Sequence, residues 1–149
     1  MSRIRVAVLG ASFGRLVQAP AYLQHPGFEL VAIASAHADK AHAVAAELGI
    51  PRGYGDWREL IAKEQPELVS IATPTDLHHP MFMAALAAGA HVHSEKPTAL
   101  HRWQAIDMRD AALAAGRVAG INHEFRFFPA RMHALSLVRS GAIGRVRRI

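Results

Sequence analysis

Short runs of β-branched and other apolar residues alternate along the chain with stretches of helical spacing, each pair joined by a few loop residues. This alternation constrains the fold more than any other feature. Strands separated by helices pair in parallel through right-handed crossovers, which place helices on both faces of the sheet. Ile4–Leu9, Phe28–Ala34, Glu67–Ala72, Ala90–His93 and Val118–Asn122 read as strands, with a brief extended piece at Pro51–Gly55. Leu16, Val17 and Leu23 mark a first helix that Pro20 should kink or shorten, and a second helix covers Asp39–Leu48. Asp56 caps a short helix ending near Lys63, Asp76 caps one reaching Ala88, and Thr98 caps a longer one carrying Leu100, Trp103 and Ile106. Phe128, Met132, Leu135 and Val138 mark one face of a last helix stopping at Gly141, and residues 145–149 begin a further strand. The pattern predicts a doubly wound α/β domain with a parallel sheet. A strand that begins beside the chain end has no partner, so a second domain is expected beyond it.

Several classes are set aside on composition. No apolar run reaches the roughly 18 residues needed to cross a bilayer, and Met1-Ser2-Arg3 leads directly into the first strand without a signal-peptide core. A cytoplasmic protein with no membrane partner is expected. The 149 residues contain no cysteine, which removes disulfides, thiolate metal sites and thiol nucleophiles. His91 and His93 share one strand face but no third ligand accompanies them, so no metal site is expected. The formal charge of +5 would point towards nucleic acid if it were spread over the fold. It is local: Met1–Glu124 holds 11 Lys and Arg against 12 Asp and Glu, whereas Phe125–Ile149 holds six arginines and no acid. Aromatic residues interleave with them only at Phe125, Phe127 and Phe128, and no nucleic-acid partner is expected.

The first strand-to-helix turn reads Gly10-Ala11-Ser12-Phe13-Gly14-Arg15. In a dinucleotide fold, such a turn holds the pyrophosphate against free amides at a helix N-terminus. The spacing G-x-G-x-x-G would put glycines at 10, 12 and 15, where this chain has Gly, Ser and Arg with a displaced Gly14. By itself the turn also fits a tight βα connection that binds nothing. The second strand ends in Ser35-Ala36-His37-Ala38, without the acid that would hold a ribose 2′-hydroxyl and repel a 2′-phosphate. Ser35 and His37 are either phosphate partners or ordinary loop residues. No arginine stands beside them, so NAD and NADP both remain, with a slight lean to NADP.

Two longer stretches are more specific. Ala72-Thr73-Pro74 with His78 follows one strand, and after a helix ending Ala85-Leu86-Ala87-Ala88-Gly89 comes His91-Val92-His93-Ser94-Glu95-Lys96-Pro97. Asn122-His123-Glu124-Phe125-Arg126 follows the next strand. This ordered set, over practically the whole chain, resembles the N-terminal domain of the Gfo/Idh/MocA family of NAD(P)-dependent oxidoreductases. The resemblance implies a Rossmann domain over residues 1–122, with 123–149 as a crossover helix and first strand leading to an absent α/β substrate domain. It implies that Ala72, Thr73 and Pro74 pass along the adenosine and phosphates, with His78 beside them. It further implies that Glu95, Lys96 and Pro97 form the family's E-K-P signature, often with a cis peptide before the proline. Lys96 would be the catalytic group, reaching nicotinamide and substrate, and Asn122 and Arg126 would lie near the nicotinamide end. The expected activity is hydride transfer between the cofactor and a sugar, polyol or related hydroxyl or carbonyl compound, in a homo-oligomeric parent whose further acid/base groups lie elsewhere. A chain of 149 residues would be inactive alone. The alternative is a non-catalytic, dinucleotide-binding regulatory module.

Overall fold

In a computed structural model, which describes residues 2–148, the chain forms one parallel sheet with helices on both faces. Strand β1 (Ile4–Leu9) is followed by a π-helical turn, Gly14–Gln18, continuing as α1 (Ala19–Gln24). Then come β2 (Phe28–Ala34), α2 (Ala38–Leu48), β3 (Arg52–Tyr54) and α3 (Trp57–Glu64). The second half runs β4 (Leu68–Ile71), a 3-10 turn at Thr75–Leu77, α4 (His78–Ala87), β5 (His91–Glu95), α5 (Arg102–Ala114) and β6 (Ala119–Asn122). A 3-10 turn at Glu124–Phe127 and α6 (Pro129–Arg139) complete it. The sheet order is β3-β2-β1-β4-β5-β6, the doubly wound order expected from the alternation.

The apolar runs of β1 and β2 are buried on both sides because helices cover both faces. Val6 and Val8 face α1 and α2 with Tyr22, Val44 and Ile33, whereas Ala7 and Leu9 face α3, α4 and α5 with Leu60, Phe82 and Met108. The β1–β2 register slips by one residue, so that Val6 pairs with Leu30 and Ala7 with Ala32. The extra residue, Val31, joins Ala32 in the same half of the core, and Ile33 returns to the other.

Several helical expectations change. Leu16, Val17 and Leu23 are exposed, and the inward face is Gly14, Gln18, Ala19 and Tyr22. The cause is the π turn, closed by Ala19 N–H to Gly14 O, which rotates the following residues relative to an α-helix. Pro20 lies at the start of α1, where its missing N–H is no loss. Asp56 caps α3 as expected, accepting from Arg58 N–H at 2.9 Å. Asp76 caps nothing, because the Leu77 N–H to Pro74 O bond of 3.0 Å already closes that turn. Nor does Thr98 cap α5. That helix starts at Arg102 after His101, whose backbone N–H donates to Gln104 Oε1 at 3.1 Å. Leu100 precedes it, Trp103 and Ile106 are exposed, and Met108 and Ala112 supply the buried face at i, i+4 spacing. α6 forms as expected but buries nothing: Phe128, Met132, Leu135 and Val138 are all exposed. Residues 145–148 form no strand, and Ile149 lies outside the described residues.

Candidate dinucleotide site

β1 lies between β2 and β4, so the connections leaving β1 and β4 turn to opposite sides and open a crevice at the carboxyl ends of the strands. A cleft of about 690 Å³ occupies this switch point, within the usual range of a small-molecule site. Its walls bring together nine of the candidate residues: Gly10, Ala11, Ser12 and Phe13 from the first turn, Ser35 and His37 after β2, and Ala72, Thr73 and Pro74 after β4.

The first turn is shaped by two contacts. Gly10 has φ of +117°, and a Cβ there would stand 2.3 Å from the Ala72 carbonyl oxygen. Gly14 lies behind the turn, where a Cβ would meet Val8 Cγ1 at 2.8 Å. It thereby performs the helix-to-strand packing that the third glycine of the usual spacing performs. Ser12 is exposed in the cleft, and its Oγ accepts from Lys40 Nζ at 2.9 Å. Arg15, at the nominal third-glycine position, turns away to a two-bond ion pair with Glu47, at 2.8 and 2.6 Å.

The remaining candidates stand outside the cleft wall. His78 is buried, with Nδ1 2.9 Å from Pro97 O and Nε2 3.0 Å from Thr73 O. It braces the loop after β4 against the loop after β5. Lys96, Pro97 and Arg126 are exposed, and the Lys96–Pro97 peptide is cis. Lys96 Nζ lies 3.9 Å from Glu124 Oε1, and Arg126 lies over the Phe127 ring at 5.5 Å. Glu95 is buried, and its Oε1 accepts from Asn122 Nδ2 at 2.6 Å and from Gln18 Nε2 at 2.9 Å.

Other residues of the site were not singled out from the sequence. Lys40, Trp57 and Arg58 also line the cleft, with Gly55 and Asp56. The Arg58 guanidinium stacks on Trp57 at 4.1 Å from the ring centre. Leu77 and Met81 line it on the other side. Gln18, Ser70 and Tyr22 form the polar layer beneath β5, where Tyr22 Oη is 2.9 Å from His93 Nδ1 and Ser70 Oγ donates to Gln18 Oε1. Burial holds the His93 imidazole below the usual histidine range, against the opposing pull of the Glu95 charge. The nearest signal in the sequence was the cap-like position of Asp56. Nothing local marked Lys40, which packing brings to Ser12 from 28 residues away.

The residues present fit a dinucleotide: a crevice at the switch point, a close-packed glycine turn, cations at one end and a lysine beyond the other. Fold and site together define a dinucleotide-binding α/β domain. The chain belongs to the Gfo/Idh/MocA oxidoreductase family with an NAD-binding Rossmann fold, whose pattern matches residues 4–123. It is similar to D-glucoside 3-dehydrogenase of Escherichia coli, at 31% identity across 97% of this chain and 42% of that protein. Among solved structures it is similar to a variant of a 3-ketoreductase from Actinomadura kijaniata in complex with TDP-benzene and NADP, with a TM-score of 0.88 and 28% identity over 98% of this chain and 46% of that one. It is also similar to the WlbA dehydrogenase from Bordetella pertussis in complex with NADH and UDP-GlcNAcA, with a TM-score of 0.89 and 25% identity over 96% of this chain and 44% of that one. The chain therefore spans about two fifths of the length of the curated relatives it matches. No helix among the described residues is long and apolar enough to cross a membrane.

Proposed function

We propose that this chain is the NAD(P)-binding part of an enzyme that moves hydride between the nicotinamide and a carbinol or carbonyl carbon of a sugar, polyol or related compound. The observation that carries the reading is the run of site residues along consecutive strand ends, from the cleft over β1, β2 and β4 to Lys96 after β5 and Asn122 on β6. When bound, the cofactor supplies or accepts the hydride. Gly10 to Phe13 would take the pyrophosphate, Ser35 and His37 the adenosine ribose, and Ala72 to Pro74 the wall between them. Lys96, half exposed and held 3.9 Å from Glu124, would orient a substrate hydroxyl and stabilise negative charge developing on its oxygen. Arg126 and Asn122 would stand near the nicotinamide end. Residues 123–149 are read as a crossover towards a second domain, an assignment supported by the exposed apolar face of α6.

NADP is favoured. Ser35 supplies no carboxylate to repel a 2′-phosphate, and Lys40 and Arg58 offer cations beside it. Asp56, the acid nearest that end, is engaged by the Arg58 backbone N–H. The similar proteins include one solved with NADP and one with NADH, so the lean rests on these side chains. The dehydrogenases and reductases among the relatives favour an enzyme over a regulatory module.

Titrating NADH and NADPH into the chain while following nicotinamide emission tests the binding, with saturable binding expected and tighter for NADPH. A folded chain that binds neither would overturn the reading. Turnover is tested on the polypeptide extended by whatever follows Ile149 in its gene, against a panel of sugars and polyols. Lys96→Met should abolish turnover and leave NADPH binding within a few-fold.

A further inference from the structure

The π-helical turn buries the wrong kind of residue. Leu16 and Val17 are 68% and 45% exposed, while Gln18 beside them is 4% exposed. Hydrophobic ordering alone would reverse this. Turns of this type are rare insertions that cluster at functional sites, and here the turn aims one amide into the sheet.

We infer that Gln18 is a positioning residue for the nicotinamide half of the site, acting through Glu95 and the Lys96 loop; this rests on the dinucleotide reading above. The Gln18 side chain uses both ends of its amide. Its Oε1 accepts from Ser70 on β4, and its Nε2 donates at 2.9 Å to Glu95 on β5. The same Glu95 oxygen accepts from Asn122 on β6 at 2.6 Å. Gln18 thus links two adjacent strands directly, and a third through Glu95, at the ends from which Ala72–Pro74 and Lys96–Pro97 emerge. Ser70, Glu95 and Gln18 are all buried, so water cannot replace the lost partner without reorganisation. The adenosine end has no share in this network: Ser35 follows β2, and Lys40 and Arg58 lie on α2 and α3; among the described residues their side-chain hydrogen bonds run to none of its members, that of Lys40 going to Ser12.

This separation supplies the test. Gln18→Met keeps volume and loses both hydrogen bonds. Apo hydrogen exchange at the Lys96 and Thr98 amides should accelerate about tenfold in this variant, while the Lys40 and Arg58 amides keep their rates. Its affinity for NADPH should fall about tenfold, the usual worth of a buried polar contact. Affinity for adenosine 2′,5′-bisphosphate, which occupies only the adenosine end, should stay within twofold. Equal loss for both ligands, or no loss for either with unchanged exchange at Lys96, would overturn the inference. Should Gln18→Met fail to fold, Gln18→Asn keeps the amide one methylene too short to serve both partners and is read in the same way. If wild-type chain binds neither ligand but exchange still loosens at Lys96 in the variant, the dinucleotide reading has failed and the mechanical coupling has not.

Discussion

Gly10 and Ala72 are packed so closely that a side-chain carbon on Gly10 would stand 2.3 Å from the Ala72 carbonyl oxygen. The glycine therefore answers first to the protein's own backbone, where the β1 turn crosses the loop after β4, and only then to a ligand. Gly10→Ala must move that backbone and also leave a φ of +117°, a combination costing on the order of 2–4 kcal/mol. Thermal unfolding without nucleotide should show Tm lowered by roughly 5–10 °C. Gly49→Ala is the control: its φ is +68° but nothing lies within 4 Å, so its cost should stay near about 1 kcal/mol. Equal shifts in the two variants would mean that the contact with Ala72 does not matter.

Cofactor choice should follow the side chains at the end of β2. Ser35→Asp places a carboxylate where a 2′-phosphate would lie, and NADPH affinity should drop by at least about tenfold while NADH affinity rises. Lys40→Met removes the ammonium that Ser12 Oγ accepts from at 2.9 Å. A charge-assisted contact of this kind is worth about tenfold in NADPH affinity, with less effect on NADH. Fluorescence titrations at two salt concentrations check both, because the part that depends on Lys40 should weaken with ionic strength. A Lys40 variant that loses NADH and NADPH equally would assign the lysine to the pyrophosphate instead.

The six strands of the parallel sheet were legible because helices on both faces force continuous apolar runs, as in Val6–Leu9 and Leu30–Ala34. The glycine turn was legible only as a place where small residues let backbone come close, and the Ala72–Pro74 loop was singled out only through the family resemblance. The phase of the helices was not legible. In α1 a single π turn moves Gln18 inside and Leu16 outside, and no local composition announces that extra rotation. In α5 the apolar spacing of Leu100, Trp103 and Ile106 mimics a core face, whereas the smaller Ala112 and Met108 are the residues that pack. Lys40 and Arg58 were invisible as site residues because their place at the cleft is created by packing of α2 and α3 against the sheet, over long sequence separations.

His78, expected beside a cofactor, joins two loops that flank the site. Its ring nitrogens lie within 3.0 Å of the Thr73 and Pro97 carbonyl oxygens, both acceptors. His78→Leu would leave the carbonyl that receives the ring N–H without its partner in a part-buried place, at about 1–3 kcal/mol. Tm should fall, and exchange should quicken around Thr75 and Thr98 before any effect appears at α2. A variant with wild-type Tm and exchange would show that the two loops hold their positions without the ring.

The edge of the sheet farthest from Lys96 carries a second buried carboxyl whose chemistry sets a pH window. Burial acts to raise the pKa of Glu64, but hydrogen bonds from Arg52 and Tyr54, with the Arg52 and Arg5 charges, outweigh it and hold the carboxyl below its usual range. Its ionised form is favoured by folding, so its contribution is complete above the unfolded glutamate pKa and is lost as pH falls through the lower folded value. Tyr54 behaves oppositely. Burial, then its hydrogen bond to Glu64 and the Glu64 charge, push the phenol up to about 12. The folded state therefore holds that proton longer, and stability falls as pH rises from the unfolded tyrosine value of about 10 towards the folded one. Tm measured from pH 3 to 12 should decline at both ends for the wild type. Tyr54→Phe should flatten the alkaline decline, and Glu64→Gln should flatten the acid one while lowering Tm at neutral pH, because the Arg52 ion pair is lost. An acid decline unchanged in Glu64→Gln would place its origin in other carboxylates.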